Sequence, residues 1–144
     1  MKYAAFLLLL ILSVFVCCSE GIEGPPLKPP TIPESYHSIA VHYNHQSISG
    51  IKAFYSFSFK HGSLDVTDLD SLWNYRLAGG SVKITKVDVL DIDGDTLVQC
   101  VLNVFYMKDG QIDTAHIEPG SEYDDVSYWK REDDFWKLCG NQMN

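Results

Sequence analysis

The chain has 144 residues, 46% of them apolar, with 11 basic against 19 acidic side chains and a formal net charge of −8. That length supports one folded domain with a sizeable core. An acidic chain without a Lys/Arg cluster repels phosphate backbones and anionic lipid, so nucleic acid and membrane surfaces are excluded as expected partners.

Residues 1–19, MKYAAFLLLLILSVFVCCS, begin with one positive charge at Lys2. They continue with an apolar run from Ala4 to Val16 and end on small side chains at Cys17, Cys18 and Ser19. This is the pattern of a secretory signal peptide. The run is shorter than the roughly 20 residues of a membrane span, and no later stretch approaches it. An extracellular product with no membrane segment after cleavage is expected. A bacterial lipid anchor on Cys17 or Cys18 is the alternative, but Val16 and Cys17 are not the small residues usual before such a site. Cleavage leaves 10 basic and 19 acidic residues, a net −9, and no Asn-x-Ser/Thr acceptor for a glycan.

Cleavage also removes two of the four cysteines. The remaining pair, Cys100 and Cys139, is expected to form one disulfide in an oxidising compartment. Such a bridge contributes roughly 4 kcal/mol in the chain-entropy model. No Cys-x-x-Cys spacing supports a catalytic or metal-binding thiol pair. Residues 20–32 read as a Pro-rich linker, with a Pro-rich ligand for an aromatic groove as the alternative. A single domain over residues 33–140 follows.

Thr31 and Glu34 have capping-box spacing, with Pro33 in the first turn. Tyr36, Ile39, Ala40 and Tyr43 then share one helical face, and Ser49-Gly50 is expected to end that helix. The run Ile51 to Phe59 fits either a helix or a strand, and His61-Gly62 closes it. Asp65 is the expected cap of a second helix with Val66, Leu69, Leu72, Trp73 and Leu77 as its buried stripe, stopped by Gly79-Gly80.

From Ser81 the apolar period becomes two. Val82 and Ile84 alternate in one phase, Val87 and Val89 in the other, which predicts a bulge near Thr85-Lys86. Asp93-Gly94 predicts a hairpin turn. Thr96 to Met107 is apolar on both faces, as expected of a central strand with its second face covered. Asp109-Gly110 turns into a strand over Ile112 to Ile117. Glu122, Asp124 and Asp125 read as a solvated acidic loop, and Val126 to Arg131 and Phe135 to Cys139 as a final hairpin. Helices followed by a curved antiparallel sheet make the class α+β.

That order, with Trp136-Lys137-Leu138 after Lys130-Arg131-Glu132-Asp133-Asp134, resembles the nuclear transport factor 2-like superfamily, and within it the secreted nematode-type members. The resemblance covers about residues 33 to 139 and implies a cone in which a bent sheet wraps N-terminal helices. It implies an interior that binds a small apolar molecule and an outer sheet face that self-associates. The short helical region implies a shallow cone and a small pocket.

Enzymes of that superfamily place an Asp, His or Tyr inside the cone, which directs attention to His116 with Asp113 and Glu118, and to Tyr55, Tyr106 and Tyr128. A His–carboxylate pair could serve as a general base. Asp113, three positions away in a strand, points to the face opposite His116. An exposed or hydrogen-bonded sheet histidine is therefore the expectation. His42 and His45 can share a helix face, with His61 the nearest third ligand, which is too few for zinc. Asp91 to Asp95 resembles a calcium loop, but Val89 and Cys100 occupy its first and last ligand positions, so a turn is expected. No catalytic, cofactor or metal residue is assigned.

A non-enzymatic binding domain for a small apolar ligand or protein partner is the leading expectation. An isomerase or dehydratase of the same fold is the alternative, and it requires a buried polar pair facing a pocket. A cystatin-like protease inhibitor is the third reading. Its Gln-x-Val-x-Gly hairpin is matched by Gln99 to Asn103 only without the glycine, and mid-strand.

Overall fold

A computed structural model describes residues 28–78, 80–93, 97–108 and 110–142. The leader, Cys17 and Cys18, most of the linker, Gly79, and parts of the two expected Asp-Gly turns lie outside them. So do the side chains of the Asp91 to Asp95 segment.

Helix α1 spans Ile32–Asn44. Its capping box is formed: the Thr31 N–H donates to Glu34 Oε2 at 2.7 Å, and the Glu34 N–H donates to Thr31 Oγ1 at 3.4 Å. These bonds satisfy orphan donors of the first turn and set where the helix starts. Tyr36, Ile39 and Ala40 are buried. The helix ends at His45, where Gln46 turns at φ 56. Ser49-Gly50 is not the break expected. It lies inside a second short helix, α2, Ile48–Lys52, because a Cβ at position 50 would clash with the His42 imidazole and only glycine lets the two helices close.

The ambiguous run after α2 is neither helix nor regular strand. Tyr55 forms a single parallel bridge to Leu138, Tyr55 and Phe59 are buried, and Phe57 stands 81% exposed. Strands β1, Lys60–His61, and β2, Leu64–Asp65, form a minimal hairpin. Helix α3 spans Leu69–Leu77. Its cap is Asp68, not Asp65, whose carboxylate accepts from Thr67. Val66 therefore precedes the helix and is partly exposed, while Leu69, Trp73 and Leu77 are buried.

Strands β3, Gly80–Asp93, and β4, Leu97–Lys108, pair antiparallel. The register shifts between Ile84 and Lys86 as the phase change predicted, and a second time between Val89 and Asp91. Strand β5, Gln111–Ile117, pairs with the C-terminal half of β4, and β6, Tyr128–Glu132, with its N-terminal end. Strand β7, Phe135–Leu138, completes a strongly curled sheet. The core lies on its concave face, where Val98, Cys100, Leu102 and Val104 meet α1, α3, Trp129 and Leu138. No helix among the described residues is long and apolar enough to cross a membrane.

Cys100 and Cys139 are both buried and free, which corrects the expected disulfide. The physical reason is register. Gln99 pairs with Tyr128, and the Cys139 N–H donates to the Tyr128 carbonyl at 2.9 Å. Cys139 thus shares the convex face with Tyr128 and Lys130, while Cys100 points inward beside Tyr36. Strand β6 stands between them, and facing apart they cannot meet the geometry of an S–S bond. Burial raises both thiols to about 11.

Candidate functional site: an apolar cavity in the curl of the sheet

Between α1, α3 and the concave sheet face lies a cavity of about 350 Å³. Ile39 and Ala40 of α1 line it because they recur on the inward helical face. Val82 and Ile84, Leu102 and Val104, and Ala115 and Ile117 line it because alternate residues of β3, β4 and β5 face the core. Val126 closes the wall from the loop before β6. The volume sits at the low end of the roughly 300–1,000 Å³ of small-molecule pockets.

The buried polar groups of the wall have partners, while Tyr75 is 80% exposed. The Tyr36 hydroxyl donates to the Val126 carbonyl at 2.5 Å and accepts from Trp129 Nε1 at 2.6 Å. The Tyr43 hydroxyl donates to the Arg76 carbonyl at 2.7 Å, and Trp73 Nε1 donates to the Tyr55 hydroxyl at 3.2 Å. Burial pushes the Tyr36 and Tyr55 phenols far above their ordinary range, with the Asp125 charge adding to the effect at Tyr55. Neither phenol ionises near neutrality.

Among the described residues one charged group reaches the cavity. The Arg76 guanidinium holds Asp125 in two parallel hydrogen bonds of 2.9 and 2.7 Å. It lies over the Trp73 and Tyr123 rings, 5.1 and 5.4 Å from their centroids. Asp125 is 2% exposed. Burial works against the Arg76 charge, but the hydrogen bonds and charge of Asp125 outweigh it and raise its pKa. At the mouth the Tyr106 hydroxyl donates to Asp113 Oδ2 at 3.1 Å, and that bond raises the phenol. Tyr123 is raised by desolvation and by its hydrogen bond to Glu122.

The acidic loop departs most from its sequence reading. Asp124 and Asp125 sit in a 3-10 turn, Asp124–Val126, and both are buried. Asp124 accepts from the Gly120 N–H, from Tyr128, and from His61 Nε2 at 2.8 Å. His61 Nδ1 in turn accepts from the Asn141 N–H, so one ring nitrogen holds the acidic turn and the other the segment after β7. Nothing in the acidic run signals this, because the side chains that pair with it, Arg76 and His61, lie 49 and 63 positions away.

The residues singled out for chemistry do not converge. His116 projects from the convex face, opposite the cavity, with its side chain 56% exposed. Its Nδ1 lies 2.7 Å from Asn103 Oδ1 and its Nε2 3.6 Å from Glu118. Asp113 points the other way, to Tyr106. Tyr55 lies behind the wall and Tyr128 beside Asp124, leaving Tyr106 as the one tyrosine of that set on the cavity. His42 packs against Phe54, and no group of three metal-ligating side chains occurs among the described residues. Gln99 to Asn103 lie within β4, not at a hairpin tip.

Solved structures share this architecture at low identity. One is a nuclear transport factor 2-like protein of unknown function from Pseudomonas putida, with TM-score 0.54 and 11% identity over 76% of this chain and 80% of that one. A candidate polyketide cyclase from Xanthomonas campestris matches with TM-score 0.50 and 11% identity over 72% and 84%. Bd1075 of Bdellovibrio bacteriovorus matches with TM-score 0.55 and 14% identity, covering 73% of this chain and 37% of its own length. The chain therefore spans little more than a third of that protein. No family model and no curated protein matches the sequence. At these identities the likeness establishes the fold alone, an α+β cone like that of the nuclear transport factor 2-like protein.

Proposed function

We propose that this chain is a secreted, non-enzymatic binding domain whose cavity takes a small apolar molecule. The observation that carries the reading is the cavity of about 350 Å³, walled by aliphatic and aromatic side chains in the curl of the sheet. A void of that size lined by apolar groups gains from filling, since its walls lack dispersion partners and water there lacks hydrogen bonds. The leader supports export.

N-phenyl-1-naphthylamine, a neutral fluorescent probe, tests the reading. Its emission is expected to rise saturably with the wild-type protein. Ala115→Phe, which fills the cavity from β5, is expected to weaken binding at least tenfold while the variant still melts cooperatively. A wild-type protein giving no saturable rise would remove the proposal.

A second reading, a proton-transfer enzyme of the same fold, draws on the buried Arg76–Asp125 pair at the cavity wall. The pair opposes it chemically as well. Both Asp125 oxygens accept from one guanidinium, and arginine holds its proton at any physiological pH. Self-association is a proposal of its own. Phe105, Met107 and Ile112 are exposed together on the convex face, where Met107 pairs with Ile112. A second copy meeting that patch about a two-fold axis would cover it. Sedimentation at tens of micromolar is expected to show a dimer that Ile112→Lys dissociates, and a wild-type monomer would refute this.

A further inference from the structure

Resting on the binding reading above, we infer that the cavity selects an uncharged, mostly apolar compound bearing one oxygen acceptor, which docks on N–H groups of Arg76. Tyr36 and Tyr43 spend their hydroxyl protons on the carbonyls of Val126 and Arg76. Tyr106 spends its own on the Asp113 carboxylate, while Tyr75 and Tyr123, 80% and 40% exposed, belong to the solvent side of the wall. Tyr36, Tyr43 and Tyr106 thus have no proton left for a ligand. A guanidinium carries five N–H donors, and Asp125 takes one from each of the two terminal nitrogens of Arg76. Three remain, on a group that forms part of the cavity wall.

The charge balance sets the rest of the selectivity. Asp125 cancels the Arg76 charge, so a ligand carboxylate entering the cavity would lose its hydration without meeting a net positive charge. Asp113 and Glu122 at the mouth repel an anion further. A carbonyl oxygen carries no such penalty and accepts a charge-assisted hydrogen bond. The Trp73 and Tyr123 rings beside the guanidinium and the two bonds to Asp125 hold it in place for such an acceptor.

Three probes of one shape test this by calorimetry: 2-acetylnaphthalene, 2-isopropylnaphthalene and 2-naphthoate. The ketone is expected to bind at least about tenfold more tightly than the hydrocarbon, from a hydrogen bond to a charged donor. The carboxylate is expected to bind more weakly than the ketone. In the double variant R76M/D125L, which leaves no charge unpaired, the preference for the ketone over the hydrocarbon is expected to vanish. Equal binding of ketone and hydrocarbon in the wild type, a preference that survives in the double variant, or tighter binding of the carboxylate would overturn the inference and leave the apolar cavity standing. Failure of all three probes to bind would overturn the underlying reading with it. The wild-type comparison decides the matter even if the double variant does not fold.

Discussion

Gly140 occupies the left-handed region at φ 67, and a Cβ there would run into the carbonyl of Lys60. The contact is the seam that ties the chain end to β1, since Lys60 N–H donates to the Cys139 carbonyl and Gln142 N–H to the Lys60 carbonyl. Gly140→Ala is therefore expected to cost about 1–3 kcal/mol from backbone strain and loss of the seam, read by urea denaturation. Asp125 makes a sharper prediction. Asp125→Ala leaves the Arg76 guanidinium buried without a counter-charge, and breaking such a pair costs about 3–5 kcal/mol. Replacing both partners, as in R76M/D125L, is expected to be less destabilising than Asp125→Ala alone. Additive losses in that double-mutant cycle would show that the two residues do not act as a unit.

Strand β3 illustrates what sequence can and cannot specify at the level of an element. The reversal of apolar phase between Val82-Ile84 and Val87-Val89 is written in the residues, and the bulge at Thr85 follows from it because side chains alternate with period two. Deleting Thr85 would place Val82, Ile84, Val87 and Val89 in one phase, so both halves keep their faces and only the bend of the bulge is lost. The deletion variant is expected to keep a cooperative thermal melt, and loss of cooperative unfolding would disprove this reading of the bulge. The capping box of α1 is equally legible, being complete within four residues. The loop from Glu118 to Val126 is not. Its aspartates read as solvated because burial depends on Arg76 and His61, which only the folded chain brings near. Helix α2 was hidden likewise, since Gly50 serves a tertiary contact with His42 and not a local break. The cavity inherits both cases: its aliphatic walls come from readable alternation, its single charged group from an unreadable long-range pairing.

At the scale of the whole molecule, the free thiols give stability a definite dependence on pH. Burial raises Cys100 and Cys139 from about 9.0 to about 11. Between those values the unfolded chain sheds protons that the native chain keeps, so the free energy of unfolding falls as pH rises from 9 to 11 and has no slope from these groups below 9. The raised Tyr36 and Tyr55 extend the decline above pH 10. Urea unfolding across this range is expected to show the loss, and a flat profile would contradict buried, free thiols. Whether the curl of the sheet receives an apolar molecule is read by titrating the nitrogen-15-labelled protein with naphthalene and recording amide correlation spectra. Saturable shifts are expected, concentrated at Ala40, Gly80, Val104, Ala115 and Ile117. Shifts confined to the convex-face residues Phe105 and Ile112, or none at the solubility limit of naphthalene, would contradict binding in the cavity.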